Sequence, residues 1–192
     1  MRALYAAILL VTLPVVLEAQ QPPAGQTTDP VTTVFRNRTM AQQRNLAQAF
    51  DSIPASLFSY KPTPAQQTIG YIAQHLAEDN YFFCNNFGSM KATVPAEDTE
   101  TADTLKAKWP KDKLVEKLKA SFKFCEDAIA QLNDGNLGEQ ITMTFNGQSR
   151  PSTRAAMALG HVVDMADHYS QIANYMRLNK LLPPTALPRP PR

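Results

Sequence analysis

One stretch constrains the fold of this chain more than any other: residues 153–180, which include MALGHVVDMADHYSQIANYMRLN. Ala155, Leu159, Val162, Ala166, Tyr169, Ala173 and Met176 recur there at helical period, so one long helix is expected, with Ser152 as its N-cap. Such a helix folds only if other elements cover its apolar stripe. Three earlier segments share the period: residues 34–51 with Phe35, Leu46, Ala49 and Phe50; residues 64–87 with Ile69, Ile72, Ala73, Leu76 and Phe83; and residues 111–132 with Leu114, Leu118, Phe122, Cys125 and Ile129. Thr63 and Pro64 suit the N-cap and first position of the second. Pro54, KPTP, a polar stretch at 88–110 and DGNLG separate them. Before the fourth helix, Ile141, Met143 and Phe145 alternate with polar residues ahead of Asn146-Gly147, which predicts a short extended segment or hairpin. The expectation is an all-α four-helix bundle over residues 33–182, followed by a Pro-rich tail at 183–192. The short first link makes helices one and two antiparallel. The second link, of about twenty residues, is long enough to run back along a helix and leave helices two and three parallel.

The chain opens with MRALYAAILLVTLPVVLEAQQ. Arg2 before an apolar run that ends near Ala19 is the pattern of a secretory signal over residues 1–19, and the run, interrupted by Pro14, is short for a membrane span. An uncleaved N-terminal anchor is the alternative. In either case the rest is expected to be exported, secreted or periplasmic, with no stable membrane span after cleavage. Residues 20–32, rich in Gln, Pro and Thr, read as a flexible leader. Roughly 170 of the 192 residues remain, enough for one domain with its own core. The net charge is only +2, and Asp112 and Glu116 break up the lysines between residues 106 and 123, so nucleic-acid binding has no electrostatic footprint. No GxSxG, HExxH or phosphate-binding loop occurs. The two cysteines, Cys84 and Cys125, suit an oxidising compartment, either bridged between two helices or as buried free thiols.

Three histidines occur. On the long helix, Asp164 lies one turn from both His161 and His168, on one face. His75 sits on the second helix with Asp79 one turn on, beside the core stripe, and would reach the others across a bundle. Imidazole and carboxylate in that arrangement point to a metal site. The structural alternative is a packed, hydrogen-bonded histidine at each position.

The histidine within TIGYIAQHLAEDNYFF, the run DHYSQIANYMRLN and the prolines after it resemble the DinB/YfiT-like family, secreted bacterial type. The resemblance implies four helices in up-down-down-up order. It also implies a divalent metal held by one histidine of helix two and two at i, i+4 on helix four. His75 and His168 match two of these, and Asp164 stands where the family usually has the remaining histidine. His161 and His168 are about 10 Å apart along the axis, too far to share an ion at metal–nitrogen distances near 2 Å. The ligand set expected from the resemblance is His75, Asp164 and His168. His161 is an alternative ligand or a hydrogen-bond partner of Asp164, and Asp79 is an outer acceptor or a solvated carboxylate. Zn, Ni, Mn or Fe(II) suits such a set, with positions left for water or substrate. Tyr169, Gln171, Tyr175 and Arg177 match the family run and are expected at a pocket mouth, although helix packing explains both tyrosines equally. The resemblance further implies a small-molecule substrate, thiol transfer to electrophiles and a homodimer. Two function classes follow: an exported metal-dependent enzyme of thiol-transferase or hydrolase type, and a non-catalytic bundle with a degenerate site, acting as a binding or stress-associated protein.

Overall fold

The computed structural model describes residues 27–145 and 147–188. The expected signal at 1–19, residues 20–26 of the leader, Asn146 and residues 189–192 of the tail lie outside the described residues. The elements are α1 (Pro30–Ser52), α2 (Ile69–Cys84), α3 (Ala96–Glu100), α4 (Asp103–Lys106), α5 (Lys111–Ile129), β1 (Gln140–Phe145), β2 (Gln148–Thr153) and α6 (Arg154–Leu178). The fold is thus mostly helical with a small sheet, rather than all-α. β1 and β2 pair antiparallel from Gln140↔Thr153 to Phe145↔Gln148, and Gly147 turns the corner at φ +72°, a conformation that favours glycine.

The four long helices pack on one another. Leu46, Phe50, Ile72, Leu76, Leu118 and Ile172 belong to one buried cluster. A second holds Cys84, Phe87, Cys125, Ala128, Met157 and Ala158, with Ile141 and Met143 of β1 against it. A disulfide joins Cys84 to Cys125, Cα atoms 5.3 Å apart, at the ends of α2 and α5. Arg36, near the start of α1, donates to the carbonyl of Leu132 just beyond α5. Lys111, at the start of α5, donates to the carbonyls of Asp51 and Ile53, each 2.8 Å away, at the end of α1. The tail is docked: Tyr169 donates to Thr185 Oγ1 at 2.9 Å and accepts from the Thr185 amide at 3.1 Å. No helix among the described residues is long and apolar enough to cross a membrane.

Several boundaries differ from the sequence expectation because distant atoms set them. Helix α1 starts at Pro30, inside the expected leader, because the Asp134 carboxylate accepts from the Val31 and Thr32 amides at 3.1 and 2.7 Å, a cap supplied from the turn after α5. Helix α2 starts at Ile69 rather than Pro64. Thr68 caps it by accepting from the Tyr71 amide at 3.1 Å, and the Gly70 amide donates to Phe58 O at 2.8 Å. Glycine is needed there: a Cβ at Gly70 would lie 2.3 Å from the Ala107 carbonyl oxygen. Thr153, rather than Ser152, caps α6, accepting from the Ala156 amide at 3.2 Å. The stretch at 88–110 carries two short helices, α3 and α4. On α6, Leu159 is 54% exposed while His161 is fully buried, so the inward face is rotated from the apolar stripe.

Candidate metal centre

Two histidine–aspartate pairs face each other where α2 packs on α6. One turn along α2, His75 Nε2 lies 3.0 Å from Asp79 Oδ2; one turn along α6, His168 Nε2 lies 3.5 Å from Asp164 Oδ1. Helix packing brings the two imidazoles edge to face, with centroids 5.1 Å apart. Donor atoms of His75, Asp79 and His168 all lie within 4.8 Å of one another.

The protonation states are unequal. Burial, with the nearby Asp164 charge, pushes Asp79 up to about 7. Burial, and then the charge of His168, hold His75 below its usual value. Burial also works against charge on His168, but Asp164 beside it, with Asp79 and Asp167, outweighs this and raises His168. The His75–Asp79 contact therefore joins groups driven toward neutrality, whereas His168 holds its proton more firmly than a free histidine. Asp164 Oδ2 and His168 Nδ1 are buried without a hydrogen-bond partner among the described residues. Converging imidazoles, a carboxyl whose ionised form lacks compensation and uncommitted buried polar atoms fit a divalent cation.

Asp79 joins the two histidines in the compact set, and Asp164, 3.5 Å from His168 Nε2, lies close enough for its charge to act on both His75 and Asp79. Asp79 has the same i, i+4 spacing from His75 that Asp164 has from His168, and that spacing was its sequence signal. His161 lies elsewhere, and no hydrogen bond joins it to Asp164 among the described residues. Instead, His161 Nε2 lies 2.8 Å from Asn80 Oδ1, and burial pulls its pKa down to about 4. The pocket-mouth residues also move. Tyr169 is buried and tied to the tail, and Tyr175 is buried with its hydroxyl donating to Gln67 O at 3.2 Å. Gln171 donates to Asp167 Oδ2 at 2.8 Å, and Arg177 is exposed. Tyr71 was missed. Its ring lies 5.8 Å from that of His75, one turn away on α2, and it lines a cavity of about 710 Å³ together with Thr68, Thr104 and Trp109.

A model of the DinB superfamily matches residues 38–172. No curated protein matches the chain. Several solved structures resemble it, three of them as follows. A DinB-like protein from Bacillus cereus is 15% identical with a TM-score of 0.60, the match covering 78% of this chain and 93% of that one. A DinB-like protein from Bacillus subtilis is 14% identical with a TM-score of 0.56, over 77% and 92% of the two chains. A conserved protein from Enterococcus faecalis is 16% identical, also at 0.56, over 77% and 96%. At these identities the likeness is one of fold.

Proposed function

The chain belongs to the DinB superfamily, and from that premise we propose that it holds a divalent metal ion through His75, Asp79 and His168. The observation that carries this reading is the convergence of those three donors from α2 and α6. We read the four long helices as up-down-down-up, since Lys111 and Arg36 tie opposite ends of α1 and α5 together and the disulfide joins like ends of α2 and α5. We also propose export to an oxidising compartment, consistent with the signal-like first residues and the disulfide.

The activity proposed is that of a metal-dependent transferase or hydrolase acting on a small molecule. When bound, Zn, Ni, Mn or Fe would supply Lewis acidity that acidifies a water or thiol in an open position. The chain's own residues do the rest. Asp164 fixes the His168 ring from one turn away. Asp79 would bind as a carboxylate, the charge of the ion offsetting the burial that raises its pKa in the metal-free chain. Tyr71, whose hydroxyl burial and then Asp103 hold above its usual value, stays a neutral donor one turn from His75. A second reading, a non-catalytic bundle with a degenerate site, is favoured by the same Asp79. A carboxyl that burial holds up at about 7 captures cations less readily.

Elemental analysis of the chain purified without a His tag separates the two. Near-stoichiometric metal is expected, lost in His168→Ala and Asp79→Ala and weakened in Asp164→Ala. No uptake after reloading with Zn, Ni or Mn overturns the metal reading and leaves the non-catalytic one.

A further inference from the structure

A second cluster of metal-binding side chains lies apart from the His75 centre, in the core where α6 meets the ends of α2 and α5. His161 is fully buried there. Its Nε2 lies 3.7 Å from Cys84 Sγ, 3.7 Å from Cys125 Sγ and 2.8 Å from Asn80 Oδ1. Asn80 Nδ2 donates to Ser121 Oγ at 2.8 Å, and Ser121 donates to Leu118 O at 2.7 Å, a chain that turns Asn80 Oδ1 toward the imidazole. His161 Nδ1 is buried with no partner among the described residues. The rings of Phe83 and Phe87, at 5.9 and 5.6 Å, wall off the imidazole.

We propose that reduction of the Cys84–Cys125 disulfide turns this cluster into a buried zinc site, with both thiolates and His161 Nε2 as ligands and Asn80 Oδ1 in the fourth position. In a tetrahedral site with Zn–S near 2.3 Å and Zn–N near 2.0 Å, sulfur and nitrogen donors sit about 3.5 Å apart. The imidazole nitrogen is already 3.7 Å from both sulfurs, so its placement changes little. The sulfurs, no longer bonded, must open to about 3.8 Å, a movement within reach of small side-chain rotations. Two thiolates and one Zn²⁺ sum to zero charge, which suits an apolar interior, and thiolate with imidazole selects zinc over magnesium or calcium. The site would bind α6 to α2 and α5 where the disulfide bridges only the latter two.

The steps balance with a phosphine as reductant. The phosphine attacks one sulfur and the S–S bond breaks; water then supplies the oxygen of the phosphine oxide and the protons of two thiols. Zinc displaces both thiol protons to solvent as two Zn–S bonds form. His161 binds as a neutral imidazole in its other tautomer: the Nε2 proton that Asn80 Oδ1 accepts in the oxidised chain goes to solvent, and Nδ1 takes one up.

The test uses the full chain carrying His75→Ala and His168→Ala, so that failure of the first centre does not affect the outcome. The chain is reduced with a phosphine under anaerobic conditions until two thiols titrate, and cobalt(II) is added as a spectroscopic stand-in for zinc. Binding of about one extra cobalt equivalent over the oxidised chain is expected, with a thiolate-to-cobalt charge-transfer band that zinc abolishes and that His161→Gln weakens. Two free thiols with no such band, or an unchanged band and affinity in His161→Gln, overturn the proposal. X-ray absorption at the zinc edge of the reduced, loaded chain needs no substitution at the site: two sulfur neighbours are expected, and none would overturn it. If reduction unfolds the chain, refolding is followed by circular dichroism. Recovery with zinc but not magnesium supports the site, and failure to recover with either overturns it.

Discussion

Replacing Asp79 by Asn removes one ionisable group while keeping its shape and its contact with His75. The folded chain holds this carboxyl at about 7 against a reference of 3.8. Between those values the native state keeps a proton that the unfolded chain has lost, so stability falls as pH rises through the window. At 1.36 kcal/mol per pH unit of displacement the ceiling is about 4 kcal/mol. The side chain retains 21% exposure and lies 3.0 Å from His75 Nε2, so about half of that, ~2 kcal/mol, is the working figure. His75, held below its usual value, contributes stability that grows as pH rises through its unfolded pKa. His168, held above its usual value, contributes stability that is lost as pH rises through its folded pKa. Both remain in the variant, so the difference between the two chains isolates Asp79 to first order. Urea denaturation with a chelator present, at pH 4.5, 6 and 7.5, should show Asp79→Asn gaining steadily on the wild type, by roughly 2 kcal/mol at the top of the range. A difference that stays constant with pH would refute the reasoning. Zinc should reverse the order: at 100 times its Kd it stabilises the wild type by about 2.7 kcal/mol, and the variant, lacking an ionisable ligand, by much less.

The remaining predictions concern the scaffold. Gly70→Ala forces a methyl against the Ala107 carbonyl and should cost about 2 kcal/mol by chemical denaturation, with the α2–α4 contact loosened in hydrogen exchange. An unchanged midpoint would mean that the close approach is not required. The Cys84→Ala/Cys125→Ala pair opens a bridge of sequence separation 41, which by loop closure costs about 4 kcal/mol. A loss below about 1 kcal/mol would show that the reduced chain is already held together by packing.

Much of the fold was legible because the helical period of apolar residues reports burial directly. The stripes of Ile72 and Leu76, and of Leu114 and Leu118, are buried as expected. Helix ends were less legible, because what fixes them is not local. The Asp134 carboxylate caps α1 from more than a hundred residues away, and Gly70 starts α2 against a carbonyl of another segment. The candidate site divides in the same way. His75 with Asp79 and His168 with Asp164 are one-turn pairs that spacing alone reveals. Spacing along two separate helices cannot say which carboxylate turns toward the opposite histidine. The rotation of α2 against α6 decided that, bringing Asp79 among the donors, sinking His161 against the disulfide and turning Leu159 out to solvent. Helix formation depends on contacts within a few residues and was determined by the sequence itself. The relative rotation of packed helices depends on how all four faces fill one core, and only the tertiary structure settled it.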